Sequence, residues 1–154
     1  MSLRSVDPGA IPEQHPVAVF HRFWTSAAKG AGWAPWEAFD ATHHAGILPW
    51  VLLLRREPDG WRYTVCGTGC TALFGFSYQG KLFGEDLPPE AAAQRQAEFD
   101  RVIAGEGPQF SHTRLPVPGK DFVQVFRGVF PFTSGTDEVD RIFVVLAGEE
   151  ARVP

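Results

Sequence analysis

Cysteine is scarce in this chain. Its 154 residues hold two, Cys66 and Cys70, in a C-x3-C spacing with no second pair and no histidine beside them. A structural zinc site generally needs four such ligands, and a disulfide is not expected in a cytosolic domain, so the pair reads as two small, half-buried thiols. No apolar run approaches the length of a membrane span; Ile47 to Leu54 is far too short. The N-terminus carries no charged-then-apolar leader pattern, and the cytoplasm is the expected location, with no membrane partner. Charge of one sign is also lacking. The net charge is −4 and the arginines are scattered, which argues against a nucleic-acid partner.

Catalytic and metal motifs are missing as well. There is no G-x-S-x-G elbow, and His43 and His44 are neighbours whose side chains diverge, so no nucleophile–histidine–acid set is visible. The histidines (His15, His21, His43, His44, His112) form no H-x3-H or H-E-x-x-H pair, and no metal site is expected. Gly67 to Ala72 resembles a phosphate loop only loosely and reads as a tight strand-to-helix corner. Glu85-Asp86 and Glu149-Glu150 are adjacent pairs at element edges, whereas paired-carboxylate catalysis needs convergence from separate elements. The expectation is a protein that is not an enzyme.

Aromatic residues are plentiful, at 13% with thirteen Phe and five Trp. They imply either a bulky core or a ring-lined ligand site. The length fits one domain. Residues 1–14 read as a tail, 15–148 as the domain and 149–154 as a second tail. His15-Pro16 opens a helix whose apolar stripe is Phe20, Phe23, Trp24 and Ala27, ending near Gly30 or Gly32. This stripe covers its own sheet, packs on a second copy, or does both. Pro35 to Asp40 reads as a short helix started by proline. Trp50 to Leu54 is strand-like, Pro58-Asp59-Gly60 is a turn, and Trp61, Tyr63 and Val65 alternate with polar residues along a second strand. Next come a helical turn at Thr71 to Phe74 and a longer helix from Pro89 to Ala104, with the stripe Ala92, Phe99, Val102 and Ile103. Three strands close the chain: Phe110 to Val117, Phe122 to Phe132 and Arg141 to Ala147. The middle one is apolar on both faces, so both faces should be covered.

Two early strands, short helices, a longer helix and three closing strands give the element order of a PAS domain. From about Val19 to Leu146 the chain resembles the PAS-type domain family as it occurs in short alphaproteobacterial proteins. The matching stretches are Phe23-Trp24, Phe39-Asp40, Leu48-Pro49, Asp59-Gly60 with Trp61 to Thr68, Phe74-Gly75, Gly80-Lys81, Pro88-Pro89, Pro131-Phe132 and Val139-Asp140-Arg141-Ile142. The resemblance implies an α+β fold: a five-stranded antiparallel sheet, short helices on one face and an N-terminal flanking helix. It also implies a sensory or regulatory module that binds a small ligand, relays a signal through a protein partner or homodimer, or does both. Photoactive flavin members carry an Asn-Cys-Arg-Phe-Leu-Gln-like segment, which Gly69-Cys70-Thr71-Ala72-Leu73 is not. Haem members supply an axial His from the long helix, and Pro89 to Ala104 has none. Both cofactors are therefore disfavoured, and the ligand is unknown.

Strand alternation and the place of PAS pockets nominate Tyr63, Phe74, Phe99, His112, Arg114 and Phe126 as pocket lining. Rings would supply burial, and His112 or Arg114 would orient an anionic ligand. Two other readings stay open. One is an interaction module with a filled core, working through the stripe Phe20, Phe23, Trp24 and Ala27. The other is a small enzyme on a cone-shaped α+β fold, for which only Tyr63 and His112 are plausible acid–base members.

Overall fold

The computed structural model describes residues 3–120, 122–135 and 137–154. Seven strands form one sheet: β1 (Arg4–Ser5), β2 (Ala34–Pro35), β3 (Val51–Glu57), β4 (Gly60–Cys66), β5 (Gln109–Arg114), β6 (Gln124–Thr133) and β7 (Arg141–Gly148). The helices are α1 (Pro16–Ala28), α2 (Thr68–Phe74) and α3 (Pro89–Ile103). The strand order is β1-β5-β6-β7-β3-β4. Those pairings are antiparallel, whereas β2 runs parallel to the end of β6.

The expected five strands are the long ones; the other two are short edge additions. Arg4 and Ser5 pair with His112 and Ser111, covering the outer edge of β5. β6 outruns β5, whose last partner on it is Val129, so the edge of β6 beyond that point is taken by Ala34 and Pro35, opposite Phe132 and Thr133. Both additions cover backbone that an uncovered edge would leave unpaired. The segments expected as tails are likewise packed. Ile11 is buried in the core, and the Val153 N–H donates to the Gln14 carbonyl at 2.7 Å.

Both sheet faces are covered, as the doubly apolar β6 requires. On one face Val17, Phe20 and Trp24 of α1 pack with Phe110, Phe130, Phe132 and Phe143. The 3-10 turns at Trp36–Ala38, Ala41–His44 and Leu48–Trp50 bring Trp36, Phe39 and Trp50 to this same layer. The short helical segments are therefore not confined to one face; Pro35 to Asp40 packs with α1. On the other face Phe74 of α2 and Phe99 and Val102 of α3 pack with Leu52, Tyr63, Val125, Val129 and Val144. The corner before α2 is tight: a Cβ on Gly67 would stand 2.4 Å from the carbonyl oxygens of Leu48 and Pro49.

Val65 departs from the expected alternation. The β3–β4 register shifts between Leu53 and Leu54, which pair with Val65 and Tyr63. The extra residue is Thr64, and such a bulge reverses the facing of the residues beyond it. Tyr63 stays inside and Val65 is 40% exposed.

His15 anchors the start of α1. Its Nδ1 accepts from the Val17 N–H at 3.1 Å, and its Nε2 lies 3.0 Å from the Gly148 carbonyl. Both contacts are met only by the neutral Nε2–H tautomer. Burial, aided by the charge of Arg152, lowers its pKa below the ordinary 6.5, against the pull of the Gly148 and Ala147 carbonyls. Desolvation lowers His21 and His44 in the same direction. The unfolded chain then binds more protons than the folded one below the ordinary value, so stability rises with pH. The contribution is complete above pH ~6.5 and is lost as pH falls through that value towards the folded pKa. Thermal unfolding from pH ~7.5 to ~5 should show a falling Tm, and His15→Asn, which keeps a capping acceptor, should flatten that slope.

A polar cavity beneath the long helix

The site is built from a charged stripe on a buried helix face. Arg95, Glu98, Phe99 and Val102 are the buried residues of α3, spaced i, i+3, i+4 and i+7, so all four face the sheet. Opposite them, β6 contributes Arg127 from the face that also carries Val125 and Val129. Arg127 donates from Nη1 to Glu98 Oε1 in a short, direct ion pair and to Ser111 Oγ at 3.2 Å. Glu98 is 1% exposed, Arg127 5% and Arg95 6%. Among the described residues, two guanidiniums thus share the interior with one carboxylate.

Arg95 is the cation left over. Its Nη1 donates to the Ala91 carbonyl at 3.3 Å, within its own helix, and among the described residues no carboxylate forms an ion pair with it. Burial first, and then the like charge of Arg127, pull its pKa down to about 10, while Glu98 draws it up. It remains charged at neutral pH.

A cavity of ≈ 30 Å³ lies against this cluster, between the sheet, α3 and the segment after α2. Its walls are Leu52, Tyr63, Phe74, Phe83, Phe99, Val125 and Val144, with Tyr78, Arg95, Thr113 and Arg127 as polar members. The wall after α2 is held by backbone pairing to the outer edge of β4: the Tyr63 N–H donates to the Lys81 carbonyl at 2.9 Å, and the Phe83 N–H to the Trp61 carbonyl at 2.7 Å. This carries Tyr78 onto Tyr63, ring centroids 5.0 Å apart and nearly parallel. The Tyr78 hydroxyl is buried with no hydrogen-bond partner among the described residues. Desolvation pushes its pKa up to about 12 and that of Tyr63 higher still, so both phenols keep their protons and can donate. Arg95, Thr113, Leu115 and Pro116 also line a surface groove of ≈ 300 Å³ between Pro88–Ala91 and Arg114–Pro118. Arg95 stands at the wall between groove and cavity.

Of the residues nominated from sequence, Tyr63, Phe74 and Phe99 lie together in this cavity. His112 and Phe126 do not. On β5, Thr113 lines the cavity and the Ser111 hydroxyl meets Arg127, so by alternation His112 faces the α1 side. There it sits beside Phe126, with centroids 5.0 Å apart, and its Nε2 bonds Glu149 at 2.8 Å. Phe126 in turn packs against His15. Arg114 is exposed and borders only the outer groove. The nomination of His112 and Arg114 took the even-numbered face of β5 as the cavity side, whereas Ser111 and Thr113 of the odd-numbered face are there. Tyr78, Arg95, Glu98 and Arg127 were not among the residues nominated from sequence. Of the cap-helix residues, Phe20 and Trp24 are buried and Phe23 and Ala27 half-buried.

No family model matches the chain, and no curated protein does. Among solved structures it is similar to the PAS domain of BvgS from Bordetella pertussis, at 21% identity over 71% of this chain and 87% of that one, with a TM-score of 0.48. Among the described residues, no helix is long and apolar enough to cross a membrane, and no group of three or more His, Cys, Asp or Glu is placed to hold a metal ion.

Proposed function

We propose that this chain is a non-catalytic, PAS-like sensory or regulatory module that takes a small ligand into the cavity beneath α3. The observation that carries this reading is the polar cluster inside an otherwise apolar layer: Arg95, Arg127, Thr113 and Tyr78 converge on one small space walled by rings. A core meant only to pack gains nothing from a buried unpaired guanidinium and an unpartnered hydroxyl, each of which costs stability. Ligand sites, by contrast, are apolar pockets with a few convergent polar groups. Occupancy would be felt by α3 and by the segment carrying Tyr78 and Phe83. A protein partner or a second copy would then read the change, with the half-buried Phe23 and Ala27 of α1 as the candidate contact.

The size of the cavity favours a second reading, an interaction module with a nearly filled core, because ≈ 30 Å³ is far below an ordinary ligand pocket. The enzyme reading required Tyr63 and His112 to converge, and they lie on opposite faces of the sheet. Native mass spectrometry of the protein purified from its own cells, repeated after denaturation, separates the first two. A small mass lost on denaturation is the expected result. A clean apo mass, together with no response to any added small molecule, would leave the interaction module as the better account.

A further inference from the structure

We propose that the cavity beneath α3 is a site for a small planar monoanion, a short carboxylate or a nitrate-like oxyanion, held by the Arg95 guanidinium and the Tyr78 hydroxyl. This rests on the ligand-binding reading above and names the ligand's chemistry.

Charge comes first. Among the described residues the interior holds two buried guanidiniums and one buried carboxylate, and that carboxylate is engaged by Arg127. One positive charge is left without a counter-ion in a region where an unpaired ion is expensive. A monoanion restores neutrality. A neutral ligand leaves Arg95 uncompensated, and a dianion leaves a surplus of the opposite sign.

Donor geometry comes second. Arg95 spends one contact on the Ala91 carbonyl, which leaves most of its planar fork for a ligand. That fork matches the two oxygens of a carboxylate or nitrate. The Tyr78 hydroxyl is buried, unpartnered and part of the same cavity wall, and its raised pKa keeps it a donor. The two polar groups left without a full set of partners, the Arg95 fork and the Tyr78 hydroxyl, are therefore donors, and among the described residues no carboxylate lines the cavity.

Size comes third. A cavity of ≈ 30 Å³ holds about two water molecules, hence a ligand of about three or four non-hydrogen atoms, the size of formate, acetate or nitrate. Leu52, Phe74 and Val144 leave an apolar wall for a hydrogen or a methyl group. Arg95 also borders the surface groove, which gives the anion a way in past the N-terminal turn of α3.

The test uses the full chain. Thermal unfolding and titration calorimetry are run with sodium formate, acetate and nitrate, each at constant ionic strength against sodium chloride. At least one planar anion should give a saturable calorimetric isotherm and raise Tm with the logarithm of its concentration, by about 3–6 °C at ~10 times its Kd, while chloride does neither. A response to the carboxylates alone assigns an organic acid, and a response to nitrate alone an inorganic oxyanion. Arg95→Met should hold or raise Tm in chloride and weaken the anion at least ~10-fold. Tyr78→Phe should leave Tm in chloride unchanged or higher and weaken the anion by about 5- to 10-fold. No saturable response to any planar anion, an equal response to chloride, or full binding by Tyr78→Phe overturns the proposal. If the anions fail while the native protein carries a neutral molecule, the ligand-binding reading stands and the anion falls; if both fail, both readings fall.

Discussion

Truncating Glu98 to alanine should lower the free energy of unfolding by about 3–5 kcal/mol, a large share of the ~5–15 kcal/mol that holds a typical domain together. Glu98 is 1% exposed and its carboxylate is the acceptor for Arg127. Without it, the Ser111 hydroxyl is the side-chain partner left to Arg127 among the described residues. Arg95 loses the nearby negative charge that draws its pKa upward. Two buried cations are then left close together with no anion between them, and Arg127, which lines only the cavity, has no groove to turn into. Urea unfolding at pH ~7, followed by tryptophan fluorescence and circular dichroism, gives the number. The cost belongs to the orphaned charge and not to the pair as such, because swapping a whole buried ion pair for apolar residues is often neutral or stabilising. The double variant Glu98→Leu with Arg127→Leu should therefore recover most of what Glu98→Ala loses, a coupling that a double-mutant cycle measures directly. A loss below ~1 kcal/mol for Glu98→Ala would mean that water reaches the pair, and the polar cluster would then be surface chemistry and not interior chemistry.

Residue patterns exposed much of this architecture, for definite physical reasons. The stripe Phe20, Trp24 of α1 and the doubly apolar β6 are long, periodic signals that survive without tertiary knowledge; together they required a helix over one sheet face and a second layer over the other, and both are present. Strand facing was legible wherever alternation is unbroken. It failed at Val65, because a bulge inserts one residue and single-residue insertions leave no mark on composition. It failed for His112, because Phe110, His112 and Arg114 match Ser111 and Thr113 equally well as an inward set until the position of Arg127 is known. The two edge strands and the packed termini were hidden because two-residue pairings carry no periodicity.

The cavity was half legible. Tyr63, Phe74 and Phe99 announce themselves as large apolar residues on elements of known facing. Arg95 and Glu98 do not, since charged side chains at helical spacing ordinarily mark the solvated face. Two signals were nonetheless present. Arg95, Glu98, Phe99 and Val102 continue one i, i+3, i+4, i+7 stripe, so the charges sit on the apolar face and not opposite it. Arg127 is the lone charge within β6, flanked by Val125 and Val129 on its own face, and a charge in a strand covered on both sides needs a buried partner. Reading those two conflicts together would have paired α3 with β6 through Glu98. Local conflict of this kind stands out in a sequence otherwise consistent with its fold.

Phe20→Ala should cost about 3–5 kcal/mol, by removing a fully buried ring that its neighbours cannot replace. The ring of Phe20 has none of its surface exposed and meets Phe130 at 4.9 Å and 71°, Phe143 at 5.1 Å and Phe23 at 5.4 Å between centroids. These partners come from β6, β7 and α1 itself, so the void lies where helix and sheet meet. The neighbours are rigid rings on regular elements and have little freedom to collapse inward. Gly128 on β6 shows how close the approach is: a Cβ there would fall 2.8 Å from Val17 Cγ1 and 2.6 Å from the Phe130 ring. Other ties of α1 are the Trp24 indole donating to the Pro131 carbonyl at 2.9 Å, His21 against Phe110 and the His15 contacts to the last strand. None of them fills the space that the Phe20 ring occupies between α1, β6 and β7. The same experiment weighs the two roles read for α1. If the helix is chiefly a cover for its own sheet, the loss is the same at every protein concentration, and Phe23→Ala, which removes a half-buried ring stacked edgewise on His44 at 4.4 Å, costs less than half as much. If α1 is held in place by a second copy, Tm of the native protein rises with concentration. Phe23→Ala then abolishes that dependence while Phe20→Ala retains it. Unfolding curves across a hundredfold concentration range, beside sedimentation of the native chain and both variants, decide between a cap and a dimer arm.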